Sequence, residues 1–240
     1  MTITEFIEEL KGLASEDLRQ EYMKNGASEK VLGLKYTYLQ HYKKELGKNH
    51  QYALMLWETQ IPEIQILATM LIEEGKMDAA LIDQWNSDID FYLLSDAFIG
   101  NVISPYKGSL SLANKWIHSS DEYTLRHAYS IIFMLAKENG FMKDEVFLKY
   151  LDKIEESIES APNRAKETML YSILNIGRRS KKLNEKAIAL MLKLGGTVDI
   201  NHGSTGSVTP NVLDILRIVQ KTEGYIFFAP GDMLEEEESI

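Results

Sequence analysis

The chain contains no cysteine, and this absence excludes disulfide bonds, thiol nucleophiles and thiolate metal sites. Its five histidines never form a pair four residues apart, so no metal-ligand pattern is present. No apolar run approaches the length of a membrane span, and the N-terminal residues lack the basic region and cleavage site of a signal peptide. We therefore expect a cytoplasmic protein that uses no membrane segment, no metal and no cofactor.

Positive charge is also scarce. The 26 lysines and arginines are outnumbered by 36 aspartates and glutamates, which gives a formal net charge of -10. Because phosphate binding depends on clustered lysine and arginine, this balance argues against a general nucleic-acid binder. Five of the negative charges lie in the last nine residues, however, and removing them from the total leaves -5. Local basic patches are still conceivable at Lys43, Lys44 and Lys48, at Arg126 with His127, at Arg164 with Lys166, and over Arg178–Lys182.

The hydrophobic pattern is helical over nearly the whole chain, with apolar residues recurring at the spacing of one helix face. It predicts about a dozen helices. Ser15 and Ser120 are predicted N-caps, and prolines at 62 and 210 are predicted to lie in first turns. The Gly195-Gly196 pair predicts a helix end.

Paired helices joined by short loops indicate an all-α fold, namely a right-handed α-α superhelix (solenoid) of HEAT or armadillo-like repeats. We predict a single helical-repeat domain over residues 1–228 and an acidic C-terminal tail over residues 229–240, whose composition is typical of disorder. The internal repeat is weak, so an irregular helical domain with a single core is the alternative. Stacked pairs would provide a concave surface long enough for a DNA duplex.

Two segments interrupt the helical pattern. They are the Gly-containing stretch from Asn25 to Lys35 and the long polar stretch from Gly195 to Pro210. Long ordered loops are often functional, but they also serve as simple connectors. Both interpretations stay open from the sequence alone.

Tyr92 and Asp96 are four residues apart within a segment predicted to be helical over 89–103. At this spacing two side chains lie on the same helix face. The surrounding turns are largely apolar, so the Asp96 carboxylate needs a partner or a place at the rim of a groove to avoid a desolvation penalty. The pair is either a functional carboxylate beside an aromatic ring or a structural arrangement, with Asp96 as a cap or ion-pair partner and Tyr92 in the core.

Six short segments share their order along the chain with one known family. They are Asn25–Ala27 with Gly33–Lys35 and a basic helix; Ala53–Trp57 leading into Glu63–Met70; Tyr92–Asp96; Tyr123–Ala128; Ala161–Gly177; and Val198–Gly203 with Thr209-Pro210. No single segment is specific. Together they resemble the bacterial DNA alkylation repair proteins of the AlkD-like group, which are helical-repeat DNA glycosylases and their relatives.

The resemblance implies roles for individual residues. In family members that excise bases, an aromatic residue and an aspartate four positions later face the lesion, which corresponds here to Tyr92 and Asp96 as catalytic residues. An arginine on a later helix contacts the DNA backbone, which corresponds to Arg126. We further predict DNA contacts from Lys35, Arg164, Tyr171, Arg178, Arg179 and His202.

Several of these assignments have structural alternatives. Arg126 would equally serve an internal salt bridge, and His202 would equally be a hydrogen-bonded loop residue. The run from Arg178 to Lys182 is also typical of a solvated helix end.

The chain departs from the family pattern at the aromatic positions. Active members usually present tryptophans at the sugar, including one on the helix that corresponds to Tyr171–Leu174. A gap-free match ending at Gly177 puts this position at Tyr171, and a one-residue shift puts it at Ser172. The other aromatic is Tyr92 rather than tryptophan. The resemblance therefore leaves base excision open.

Two classes of function follow from the sequence. The first is a DNA-binding protein of the alkylation-repair type that binds alkylated or distorted double-stranded DNA, as a glycosylase for cationic N3- or N7-alkylated purines or without cutting. The second is a non-catalytic helical-repeat scaffold that binds a protein partner or distorted DNA. The first requires Asp96, Tyr92 and Arg126 to line a locally positive groove, and the scaffold would show apolar patches there instead.

Overall fold

Thirteen α-helices and one π-helical turn make up the regular secondary structure of residues 2–226, which is the part of the chain that the computed structural model describes. No β-strand occurs within that range, so the prediction of an all-α fold is confirmed. The helices, in chain order, are α1 Ile3–Lys11, α2 Glu16–Lys24, α3 Tyr36–Leu46, α4 His50–Trp57, α5 Pro62–Leu71, α6 Ala79–Ser87, α7 Tyr92–Phe98, α8 Ser109–Trp116, α9 Glu122–Glu138, α10 Asp144–Ser157, α11 Asn163–Gly177, α12 Lys181–Lys193 and α13 Val212–Thr222.

Most of the predicted helix ends are confirmed. Ser15 caps α2, where its hydroxyl accepts the backbone N–H of Leu18, and Pro62 is the first residue of α5. Gly195 and Gly196 have φ angles of 76° and 89° directly after Leu194, the C-cap residue of α12. These left-handed conformations suit glycine and end the helix.

Two predicted helix starts are wrong by one or two residues. Asp121, rather than Ser120, caps α9, because its carboxylate accepts the backbone N–H of Thr124. Helix α13 begins at Val212 after the cap residue Asn211, so Pro210 precedes the helix instead of lying in its first turn. Sequence patterns mark the presence of a helix better than its exact end.

The helix that carries Tyr92 and Asp96 also differs from the prediction. It begins at Tyr92 rather than at residue 89, because Phe91 has an extended backbone with φ -130° and ψ 132°. Beyond Phe98 it continues as a π-helical turn over Ile99–Ile103, in which the N–H of Ser104 donates to Ile99 O at 2.9 Å. Short π-helical turns inside α-helices are frequent at functional sites.

The chain forms two compact units. Within the described residues, the first unit comprises residues 2–112 and His202–Ser207, and the second comprises Ala113–Asn201 and residues 208–226. The boundary falls within α8. The prediction of a single domain over residues 1–228 stays a prediction, and the predicted acidic tail at 229–240 lies outside the described residues.

Helix α5 is the centre of the first unit. Every residue of α5 is buried, and α3, α4 and α7 pack against it. A second feature of this core is the stack of Trp57 on Trp85, whose ring centroids lie 3.8 Å apart with planes 4° from parallel. The Trp57 indole N–H donates to the Asp88 carboxylate at 2.8 Å, which satisfies its one polar atom.

The second unit is organised around α9 and α11, which pack against each other along most of their lengths. Helix α12 packs on α10 and α11, and α13 packs on α11 and α12. Gly177 allows the close approach of α13 and α12 at the end of α11, because a Cβ there would lie 2.5 Å from Leu216 Cδ2 and 2.8 Å from Ala187 Cβ. This packing fixes the helices that carry most of the predicted DNA contacts.

Candidate functional site

Tyr92 and Asp96 lie on one helix at the surface of the first unit. Tyr92 is the first residue of α7 and is half-buried, whereas Asp96, one turn later, is exposed. The Asp96 carboxylate therefore avoids the desolvation penalty that a buried position would impose. An exposed carboxylate one helical turn from a half-buried ring can reach a ligand that approaches this face of α7.

Aromatic packing supports the start of α7. The ring of Phe91 is fully buried and contacts Tyr22 on one side and Tyr92 on the other, with centroid distances of 5.5 Å and 5.0 Å. The Tyr22 hydroxyl donates to Leu34 O at 3.0 Å. Burial, with the Glu63 carboxylate and Tyr92 nearby, raises the pKa of Tyr22 to about 12. Tyr92 is thus partly held by core contacts, while part of its ring remains accessible.

A buried carboxylate anchors the loop that precedes Lys35. Glu63 on α5 is 1% exposed and accepts the backbone N–H groups of Leu32, Gly33 and Leu34, with shortest distances of 3.0, 2.7 and 3.2 Å. Gly33 is required here, because its φ is 84° and a Cβ would lie 2.2 Å from Ser15 O. Lys35 follows this anchored segment as the exposed N-cap residue of α3. Its ammonium can therefore extend from a fixed backbone.

The structure brings together the two non-helical segments that the sequence marks. The Asn25 side chain donates to Ser204 Oγ and accepts the backbone N–H of Ser204, each at 3.0 Å. Gly203, with φ 61°, fits against this amide, since a Cβ would lie 2.6 Å from Asn25 Oδ1. His202 is half-buried in the same loop, and its backbone carbonyl accepts the Thr205 hydroxyl at 2.8 Å. The loop at 202–207 therefore belongs to the first unit and is held there by hydrogen bonds to Asn25.

Arg126 lies inside the second unit. Its side chain is 6% exposed, and Nη1 lies 2.5 Å from Glu167 Oε2 and 3.1 Å from Arg164 O. His127 beside it is fully buried, and burial together with the Arg126 charge lowers the pKa of His127 to about 3. The pair Arg126 and His127 is therefore not the exposed basic patch that the sequence suggested. A phosphate group at Nη1 of Arg126 would compete with the Glu167 carboxylate.

Polar side chains join α9 and α11 beyond Arg126. The Thr168 hydroxyl donates to Arg126 O at 3.1 Å, and the Ser172 hydroxyl donates to Tyr129 O at 2.9 Å. The backbone N–H of Arg164 donates to Glu122 Oε1 at 2.6 Å, and the Arg164 side chain is half-exposed. These bonds fix the register of the two helices and hold the start of α11 beside α9.

Of the two residues that the sequence matches to the second aromatic position, Tyr171 is the more exposed. Its half-buried ring lies 6.1 Å from the ring of Phe133, with an angle of 38° between the planes. Ser172, the alternative position, is fully buried and hydrogen-bonded within the helix pair. The Tyr171–Phe133 pair therefore forms a partly exposed aromatic surface on the second unit.

The adjacent arginines at the end of α11 have different environments. Arg178 is half-exposed, and its backbone carbonyl accepts the N–H of Ile226 at 2.7 Å. Arg179 is 1% exposed, donates to Ala136 O and Met142 O at 2.7 and 3.0 Å, and places its guanidinium 4.2 Å from the Phe147 ring centroid. Burial lowers the pKa of Arg179. Arg178 can face a ligand, whereas Arg179 joins three helical segments from within.

Three contributing residues were missed from the sequence. Glu63 and Glu167 are carboxylates on helices and carry no local sequence signal that distinguishes them from surface glutamates. Phe133 lies within an apolar run on α9 and reads as a core residue. Their importance comes from partners that are 29 or more residues away in sequence.

Comparison with known proteins identifies the family. A family model described as DNA alkylation repair enzyme matches residues 6–199. The chain belongs to this DNA alkylation repair family. The match includes Tyr92, Asp96, Arg126 and Tyr171, and it ends before His202.

Two bacterial relatives match most of the chain. The uncharacterized protein Lin0241 of Listeria innocua is 26% identical over 181 residues, which is 72% of this chain and 75% of that protein. Lmo0209 of Listeria monocytogenes, also uncharacterized, is 25% identical over the same proportions. The names of these two relatives state no activity.

A solved structure shows that the fold is HEAT-like. That protein is described as one of a new family related to the HEAT-like repeat DNA glycosylases with affinity for branched DNA structures. The two chains superpose with a TM-score of 0.73 at 23% identity, over 94% of this chain and 97% of the other. No helix within residues 2–226 of this family member is long and apolar enough to cross a membrane.

Proposed function

We propose that this protein binds double-stranded DNA as a member of the alkylation-repair family and prefers branched or distorted duplexes. The observation that carries the proposal is the exposed Asp96 beside Tyr92 on α7, in a chain whose family match covers residues 6–199. The structural relative with affinity for branched DNA supports the preference for such substrates.

The proposed phosphate contacts are those predicted contact cations whose side chains are at least partly exposed. Lys35 is exposed, and Arg164 and Arg178 are half-exposed. Arg179 already serves internal contacts, so the proposal does not rest on it. Three phosphate contacts would give a slope of about -2.7 for the logarithm of the binding constant against the logarithm of salt concentration. The net charge of -10 gives no long-range attraction to DNA, so binding would depend on these local contacts.

Binding is tested by fluorescence anisotropy on matched DNA probes. A linear duplex, a flapped duplex and a four-way junction of equal length are titrated at several salt concentrations. We expect tighter binding to the branched probes and a salt slope that falls by about one in Lys35→Ala. Lys137→Ala, which removes an exposed cation at the end of α9 that is not a candidate contact, is the matched control. Absence of binding to every probe at low salt would contradict the proposal and favour a scaffold that binds a protein partner.

Base excision is a second candidate, favoured by the exposure of Asp96. Alkylation at N3 or N7 of a purine makes the base a cationic leaving group, so the sugar approaches an oxocarbenium ion. A carboxylate can stabilise that charge and position water for attack. The negative face of the Tyr92 ring would be attracted to the same developing cation.

Excision is tested by release of methylated base from duplex DNA that contains 7-methylguanine and 3-methyladenine. We expect Asp96→Asn to lower release by about 100-fold or more with little change in binding. Asp17→Asn, which neutralises an exposed aspartate on α2, is the control. Equal release by Asp96→Asn and the parent protein would exclude the mechanism. Binding by the parent without release would leave DNA recognition as the function.

A further inference from the structure

The first unit contains a cavity that is lined in part by the π-helical turn. Its volume is about 680 Å³, and its walls come from the end of α5 and the following loop, the turn itself, and the loop that leads to α8. Small-molecule sites typically enclose about 300–1,000 Å³. The cavity therefore has the capacity for a molecule the size of a nucleotide.

One part of the lining is cationic. Lys48 and Lys107 both line the cavity, and the Lys48 ammonium donates to Ile72 O at 2.8 Å. An ammonium has three donors, so this bond leaves two for a ligand. Burial and the neighbouring Lys43 charge lower the pKa of Lys48, and the Glu74 carboxylate acts in the opposite direction. An anionic ligand group beside Lys48 and Lys107 would stabilise the Lys48 ammonium further.

The rest of the lining suits a flat heterocycle. Tyr106, Met77 and Val102 provide ring and apolar surface, and the carboxylates of Glu73 and Glu74 provide acceptors. A ring can stack on the tyrosine and contact the methionine sulfur. Exocyclic amino groups on such a ring can donate to the carboxylates.

We propose that this cavity binds a nucleoside monophosphate unit, with the phosphate at Lys48 and Lys107 and an amino-bearing base between Tyr106 and the two glutamates. The unit is either a free nucleotide or one nucleotide of a DNA strand. The cavity combines two lysines, an aromatic ring and two carboxylates. This combination favours a nucleotide over a simple anion, because a simple anion would use only the lysines. The site does not depend on DNA binding, because a free nucleotide can occupy it.

The structure supplies a specific way to disturb the base position. Tyr106 folds over Gly108, so that a Cβ on residue 108 would lie 2.6 Å from Tyr106 Cε1. The φ of Gly108 is outside the left-handed region, so alanine fits the backbone and the tyrosine ring must move. Gly108→Ala therefore displaces the ring without deleting it, and Tyr106→Ala deletes it.

Binding is tested by isothermal titration of the full chain with dAMP, deoxyadenosine and inorganic phosphate. We expect saturable binding of dAMP, at least about tenfold weaker binding of deoxyadenosine and of phosphate alone, and about tenfold loss for dAMP in Lys107→Ala. Gly108→Ala and Tyr106→Ala are expected to weaken dAMP by a similar factor. Lys76→Ala is the control and should bind dAMP with the affinity of the parent protein. Lys76 is exposed in the loop after α5, and its side chain does not line the cavity.

The source of the nucleotide is resolved by competition. If dAMP displaces a single-stranded oligonucleotide or a flapped duplex from the parent protein, and Lys107→Ala weakens that DNA, the ligand is a strand nucleotide. If dAMP binds without affecting any DNA, the ligand is a free nucleotide, and this outcome holds even where the protein binds no DNA. No saturation by dAMP at millimolar concentration, or equal affinity in Lys107→Ala and Lys76→Ala, would overturn the proposal.

Discussion

The contact between Arg126 and Glu167 allows a direct test of whether Arg126 binds phosphate. Replacing Arg126 itself is uninformative, because the Glu167 carboxylate, whose side chain is 14% exposed, would lose this ion pair and the fold would lose stability. Breaking a buried ion pair in this way costs about 3–5 kcal/mol of folding stability. Glu167→Gln is the sharper change, because it removes the charge while it keeps the size of the side chain and one hydrogen-bond acceptor.

The size of the expected effect follows from the bond at 2.5 Å between Arg126 Nη1 and Glu167 Oε2. A hydrogen bond to a charged partner contributes about 1.5–3 kcal/mol, whereas a neutral one contributes about 0.5–1.5 kcal/mol. Glu167→Gln should therefore lower the free energy of unfolding by about 1 kcal/mol. If a DNA phosphate displaces residue 167 from Arg126, the same difference should strengthen DNA binding about fivefold.

The assay is anisotropy on a four-way junction across a range of salt concentrations. Phosphate binding by Arg126 predicts tighter binding by Glu167→Gln and a salt slope that is steeper by up to about one. Glu156→Gln removes an exposed negative charge from α10 without contacting Arg126 and controls for the change in net charge. Unchanged or weaker binding by Glu167→Gln, with the slope of the control, would refute the phosphate role and leave Arg126 as an internal link between α9 and α11.

Three further predictions concern buried polar groups. Glu63→Gln should lower the free energy of unfolding by about 2–3 kcal/mol in urea denaturation, because three backbone N–H groups lose a charged acceptor; a loss below that of an exposed Glu→Gln change would contradict this role. Arg179→Lys should cost about 2–3 kcal/mol while leaving the DNA salt slope unchanged, since lysine keeps the charge and loses the two carbonyl contacts and the stacking on Phe147. His127 has a pKa near 3 in the fold against 6.5 in the unfolded chain, so the unfolded chain binds more protons and stability falls as pH drops through this window. The loss between pH 7 and pH 5 should be about 2 kcal/mol from this group and should disappear in His127→Gln.

The helical fold and its family could be predicted from the sequence, because both depend on local patterns. Helix caps such as Ser15 and the stop at Gly195-Gly196 act within a few residues, and the periodic apolar spacing is read directly. Helix starts were less accurate. The prediction began α7 at residue 89, because Ile89 and Phe91 continue the apolar pattern. In the structure both side chains are buried, but both residues precede the helix, and Phe91 has an extended backbone.

The environment of each candidate residue could not be predicted in the same way. Arg126 and Arg164 both read as surface cations, yet packing of α9 against α11 buries one and leaves the other partly exposed. The same packing determines that Arg179 is internal and Arg178 is not. These differences depend on partners such as Glu167 and Ala136, which are 41 and 43 residues away in sequence. Local spacing contains no information on such pairs.

The aromatic positions determine how the two proposed activities are related. Ser172 is buried and hydrogen-bonded between α9 and α11, so Tyr171, beside Phe133, is the residue of the two that a ligand can reach. A tyrosine ring has less surface than an indole to pack on a deoxyribose, and the ring of Tyr92 is partly committed to Phe91. With both aromatic contacts weaker, any stabilisation of an oxocarbenium ion depends more strongly on Asp96. DNA recognition does not share this dependence, because phosphate contacts fix a duplex without the aromatic residues. Loss of release in Asp96→Asn with binding intact would therefore establish excision on this fold, and binding that never leads to release would mean that the fold serves recognition alone.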